Sequence, residues 1–233
     1  MAGFAPLSKL IGHPRGTATR GLRWCLLIAT AGLTLHMGPA SSELASADAV
    51  ERRLQHWQTL MREGHALDEV EQLSRVNDFF NGARFVNDRE LWQTSDYWAT
   101  PTEFLQYYAG DCEDFAIAKY FTLKAMGVAP DKLRITYVKV AGLPESHMVL
   151  AYYATPRAEP LILDNLDRHI RTAGERTDLR PIYSFNAETL WLARSRHEQE
   201  EMGHPGQLQR WREMLARLEP ELRLALTAPT RAP

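Results

Sequence analysis

Cys112 stands in the string Gly110-Asp111-Cys112-Glu113-Asp114, and a thiol able to ionise can attack a carbonyl carbon and carry an acyl group. Such a nucleophile needs a base to take its proton and a third group to orient that base. His147 lies 35 residues further on and Asp164 a further 17, so Cys112, His147 and Asp164 can supply those three roles. Of the eight histidines, His13 and His36 fall in or beside an N-terminal apolar run, His56 and His65 in a helical front, and His197 and His204 in a late polar segment. His169 beside Asp167 remains a rival base and acid, and spacing alone does not choose between the two sets.

The elements around these residues give the thiol a setting. Thr100-Pro101-Thr102-Glu103 has the form of a helix start, with a capping box and proline at the first helical position. That helix should end near Tyr108, with Gly110 supplying a turn. A second helix then opens at Asp111-Cys112, carries Phe115, Ala116, Tyr120 and Leu123 at helical spacing, and stops at Gly127. Cys112 therefore falls in a first helical turn, where free N–H groups and the macrodipole favour thiolate and can donate to an oxyanion. The apolar spacing predicts further helices over 47–63, 68–81 and 207–218. Strands are expected over 133–140, 146–153 and 161–163, putting His147 at the start of one strand and Asp164 at the end of the next. Trp92, Trp98 and Trp191 are expected to pack rather than line a groove.

Composition narrows the class. The 233 residues carry 27 Lys+Arg against 29 Asp+Glu with 45% hydrophobic content, which fits one globular domain and offers no basic stripe for nucleic acid. Residues 1–40 hold Lys9, Arg15, Arg20 and Arg23 and no acid, then an apolar run of about 14 residues, shorter than the roughly 20 of a spanning helix. This reads as a signal peptide, or an uncleaved anchor, with cleavage after Ala40 or as late as Ala47. The remainder is then exported to the periplasm. Losing those four basic residues leaves 23 against 29, a formal charge of −6, and removes Cys25, so Cys112 stays without a disulfide partner. The domain is expected over 48–226, followed by a disordered tail over 227–233.

The Gly110-to-Tyr120 string, with His147-Met148-Val149-Leu150, Leu163-Asp164-Asn165 and Tyr183-Ser184-Phe185-Asn186, resembles the bacterial transglutaminase-like cysteine proteinase family from about Ala47 to Leu192. The resemblance implies an α+β, papain-like or transglutaminase-like fold. In that fold Cys112 is the nucleophile, His147 the general base and acid, and Asp164 the orienting acid, which leaves His169 a structural role. It further implies a calcium requirement with Asp111 and Glu113, and then Asp114, among the ligands. On the residues alone, acids in a first helical turn simply complement the dipole, at about 0.3–1 kcal/mol each. Calcium adds a second logic, because these carboxylates raise the thiol's pKa and are hard oxygen ligands.

The resemblance also implies a substrate and a regulator: the N-terminal region of a large cell-surface adhesin, and an inner-membrane cyclic-di-GMP receptor of the LapD type. The Cys112 N–H would be one oxyanion donor, and Gln106 or the Trp98 indole are candidates for the second. A transglutaminase or a cell-wall peptidase would use the same three residues. A binding module that kept the fold would leave Cys112 unreactive.

Overall fold

The computed structural model describes residues 47–193 and 199–218. The expected export segment with Cys25, and the tail, lie outside them. In chain order the helical front begins with α1 (Ala47–Gly64) and α2 (Glu69–Asn81), the latter capped by Asp68, which accepts from the Glu71 N–H at 2.9 Å. A short stretch follows with β1 (Arg84–Phe85) and α3 (Asp88–Leu91). The expected capping box opens α4 (Pro101–Tyr107): Thr100 Oγ1 accepts from the Glu103 N–H at 3.2 Å and Glu103 Oε2 from the Thr100 N–H at 2.8 Å.

The turn before Cys112 is built differently from the expectation. Tyr108, at φ 48°, takes the left-handed cap, and Gly110 enters β2 (Ala109–Gly110). Glycine is needed there for closeness, since a Cβ on Gly110 would lie 2.5 Å from Asp114 Oδ2. β1 and β2 pair in parallel, Arg84 with Ala109 and Phe85 with Gly110, and the Val86 N–H donates to Gly110 O at 3.0 Å. This small ladder ties residues 84–88 to the backbone just ahead of Cys112.

α5 (Cys112–Ala125) is the central helix, buried at every position from Asp114 to Leu123. Its inward surfaces meet the sheet formed by β3 (Leu133–Val140), β4 (Ser146–Tyr152), β5 (Leu161–Leu163), β6 (Arg171–Thr172), β7 (Leu179–Phe185), β8 (Leu190–Ala193) and β9 (Gln199–Gly203). The spatial order is β6-β5-β4-β3-β7-β8-β9 and every pairing is antiparallel. Period-two alternation divides the apolar side chains. Ile135, Met148, Leu150 and Leu163 join the core under α5, whereas Val138, Val149, Ala151 and Ile162 form a second cluster on the other face. α6 (Gln209–Arg217) packs back on the same domain, with Trp211 stacked on Phe121 at 5.6 Å and Met214 fully buried. Helices on one side and an antiparallel sheet on the other give the expected α+β class. Among the described residues no helix is long and apolar enough to cross a membrane.

Candidate active site

Cys112 is the first residue of α5, so its backbone N–H has no partner within the helix. Its Sγ donates to Glu113 Oε2 at 3.0 Å and accepts from the Met148 N–H of β4. Burial pushes the thiol well above its ordinary pKa. The charge and hydrogen bond of Glu113 and the charge of Asp111 push it further, with only the Met148 N–H acting the other way. Burial and the acidic neighbours therefore favour the thiol over the thiolate.

Strand pairing brings His147 to Asp164. Leu163, the last residue of β5, opposes Leu150 of β4, and the chains beyond that pair bring Asp164 and His147 to the same end of the two strands. His147 Nε2 lies 2.7 Å from Asp164 Oδ1, with both side chains buried. An ionised carboxylate only accepts, so Nε2 carries the hydrogen and Nδ1 is the nitrogen left to exchange a proton.

Asp164 is held from several directions at once. Its Oδ1 also accepts from the Leu166 N–H at 3.0 Å, and its Oδ2 from Arg176 Nη1 at 2.8 Å. Burial alone would raise this carboxyl, but the hydrogen bonds and charge of His147, the Leu166 N–H and Arg176 outweigh it and keep Asp164 below the usual carboxylate range. Arg176 in turn grips both oxygens of Asp178 at 3.0 and 2.9 Å. Behind the acid, Lys119 Nζ donates to Asn77 Oδ1 and Asn81 Oδ1 at 2.9 and 2.8 Å. Those amides are thereby oriented to donate to the carbonyls of Arg168 and Asp164, each at 2.8 Å. Burial pulls Lys119 down to about 7, against the charges of Asp164 and Asp78. Neither Arg176 nor the Lys119–asparagine clamp follows from sequence periodicity, since each acts across elements distant in the chain.

Cys112 and His147 line one cavity of about 750 Å³, together with Asp88, Asp111 and Glu113. The rival pair is elsewhere: His169 is 81% exposed, and Asp167, 3.2 Å from its Nδ1, is also held by Arg171 at 2.6 Å. The two candidates for the second oxyanion donor are not at the cavity. Gln106 is exposed, and the Trp98 indole donates to Asp96 Oδ1 at 3.1 Å. The three tryptophans pack as expected: Trp92 on Tyr97 at 4.4 Å, Trp98 on Phe185 at 5.7 Å, and Trp191 under the Arg134 guanidinium at 4.1 Å.

The acidic residues form a compact group. Carboxylate oxygens of Asp88, Asp111 and Asp114 lie within 4.8 Å of one another, as do those of Asp88, Asp96 and Glu113. Asp88 Oδ1 and Asp111 Oδ1 are buried without a hydrogen-bond partner. Burial, then the charges of Glu113 and Asp114, push Asp111 up to about 10, and burial pushes Asp88 up to about 6. Asp114, also raised by burial, has both oxygens engaged, by the Ala99 N–H at 2.7 Å and the Asp111 N–H at 3.3 Å. Orphaned hard oxygens crowded at this spacing fit a divalent cation. Asp88 and Asp96 escape sequence reading because the parallel β1–β2 ladder that brings this segment to Asp111 is too short to leave a periodic signal.

Residues 50–191 match the family model described as bacterial transglutaminase-like cysteine proteinase. The fold is similar to Legionella pneumophila LapG at 44% identity and a TM-score of 0.66, over 73% of this chain and 90% of that one. The calcium-bound form of that protein matches at 44% identity and 0.65 over 73% and 92%, and its EGTA-treated form at 45% and 0.66 over 73% and 90%. No curated protein sequence matches. With the family match covering more than half of its length, the chain belongs to the bacterial transglutaminase-like cysteine proteinases and is a cysteine protease with their fold.

Proposed function

We propose that this protein is a calcium-dependent periplasmic endopeptidase that cuts the N-terminal region of a large cell-surface adhesin, releasing it under the control of a cyclic-di-GMP receptor. The observation that carries the protease chemistry is the shared cavity, which holds a thiol at a helix start and a histidine already bonded to a buried carboxylate. The adhesin, the receptor and the compartment rest on the family resemblance and on the basic-then-apolar N-terminus.

In the proposed reaction His147 takes the Cys112 proton and the sulfur forms a bond to the scissile carbonyl carbon. The Cys112 backbone N–H stabilises the oxyanion. As the C–N bond breaks, the imidazolium returns its proton to the departing amine. Water, deprotonated by the same histidine, then hydrolyses the thioester. Asp164 holds the imidazole tautomer throughout and balances its charge. Asp111, Glu113 and Asp88 would hold the calcium, with Asp114 and Asp96 in the same group of carboxylates. The ion supplies positive charge that offsets the carboxylates now opposing thiolate formation. Glu113 is central, because the same side chain accepts from the thiol.

The deciding experiment incubates the protein with an adhesin N-terminal fragment, with and without EGTA. Cleavage that stops on chelation and returns with calcium is the expected result. Cleavage unaffected by chelation removes the metal from the proposal and keeps the protease. Intact fragment in every lane removes the adhesin.

A second outcome concerns stability without the ion. The folded state keeps protons on Asp88 and Asp111 that the unfolded chain loses near pH 4, so stability falls as pH rises, from about 4 toward 6 for Asp88 and toward 10 for Asp111. Calcium binds the deprotonated groups and should offset that loss. Thermal midpoints at pH 5 and pH 8 are expected to show a calcium-induced rise that is larger at pH 8. Equal shifts at both pH values would contradict the assignment of these carboxylates.

A further inference from the structure

Among the described residues six large hydrophobic side chains are exposed, and three of them, Phe85, Leu143 and Leu166, border the cavity that holds Cys112 and His147. The other three, Val70, Tyr107 and Met202, do not. Single exposed apolar residues need no explanation, but three at 58%, 50% and 53% exposure converging on one opening do. They come from separate segments: Phe85 from β1, Leu143 from the turn between β3 and β4, and Leu166 from the loop after β5. None of them is held in place by the core, so their shared position is not a by-product of packing. The acids Asp88, Asp111 and Glu113 of this cavity form the carboxylate group described above, while Arg89 and Glu145 are exposed charges of opposite sign near the three apolar side chains. A volume of about 750 Å³ is within the range of ligand-binding clefts.

Resting on the protease reading above, we propose that Phe85, Leu143 and Leu166 are specificity residues that grip aliphatic side chains of an extended peptide on either side of the scissile bond. Closing the rim on such a peptide excludes water from the sulfur and seats the carbonyl beside the Cys112 N–H. Leu166 has a second link to the chemistry, because its N–H donates to the Asp164 oxygen that also accepts from His147. The wall residue and the orienting acid therefore share one short loop.

The test is cleavage-site profiling on a mixed peptide library, using the calcium-supplemented protein and its Phe85→Ser, Leu143→Ser and Leu166→Ser variants. Exposed substitutions of this kind leave the thermal midpoint nearly unchanged, which serves as the folding control. Cut sites of the parent should be enriched in aliphatic residues within about three positions of the scissile bond. Each variant should lose that enrichment on one side and show kcat/KM about tenfold lower for an aliphatic peptide, carried mainly by KM. An unchanged profile in all three variants overturns the inference and assigns the rim to a protein partner. A parent that cuts no peptide overturns the protease reading together with it.

Discussion

Replacing Cys112 with alanine is expected to lower peptide hydrolysis on the order of 10⁶-fold, the scale of losing the nucleophile from an acyl-transfer triad. Almost nothing else should change. Alanine is the best helix former, and the position is the first of α5, where no intrahelical N–H bond depends on the side chain. The lost thiol contact to Glu113 is one that opposes ionisation, so its removal costs little stability. Urea midpoints of the variant and parent should therefore agree to about 1 kcal/mol in unfolding free energy. Residual hydrolysis within tenfold of the parent would sink the assignment of Cys112, and a large loss of stability would make the activity result uninterpretable as chemistry.

Arg176→Leu is expected to have the largest effect on stability, a loss of about 3–5 kcal/mol, because it removes the guanidinium that is ion-paired with the buried Asp164 carboxylate. The pH dependence follows from the direction of the Asp164 shift. A carboxyl held below its ordinary range contributes stability that is present above about pH 4 and lost as pH falls through its folded value. Arg176→Leu should flatten that acid-side loss, since part of what is lost on protonation is already gone. Arg176→Lys restores a positive charge without the two-pronged grip on Asp178, and should recover only part of the stability. Because Arg176 touches Asp164 rather than substrate, kcat should fall more than KM rises. Urea titrations between pH 3 and pH 7, run beside peptide kinetics, check both statements; a Leu variant within 1 kcal/mol of the parent would refute the account.

Much of the framework was legible because it is local. The capping box at Thr100 and the Gly127 stop are short-range chemistry, and α4 and α5 follow them closely. Alternation in Leu133-to-Val140 marked β3 to the residue. The Cys112, His147 and Asp164 set could be suspected from the spacing, but the burial and contact that distinguish His147 with Asp164 from His169 with Asp167 arise between strands rather than within one. The second half of the sheet was hidden for identifiable reasons. β7 contains Pro181 beside a bulge opposite Tyr137 and Val138, which interrupts the period-two pattern. β9, Gln-Glu-Glu-Met-Gly, is a polar edge strand whose composition resembles a loop. The expected turn at Gly110 failed because Tyr108 accepts the left-handed conformation, its ring lying under Arg53 and its hydroxyl donating to Phe79 O. The carboxylates of Asp88 and Asp96, and the Arg176 contact to Asp164, depend on long-range closure that one sequence does not reveal.

The turn between β3 and β4 has a consequence for how this enzyme could diversify. His147 is anchored below it by pairing with Val138, while residues 142–145 are exposed; Gly142 has φ +82°, and a side chain there would meet nothing within 4 Å. Insertions into that turn can therefore reshape the Leu143 wall and retarget the protease with no displacement of its chemistry. The opposite wall has no such freedom, because Leu166 is two residues from the acid that its own amide holds. Lineages of this protease should drift in substrate preference on one side of the scissile bond and stay conservative on the other.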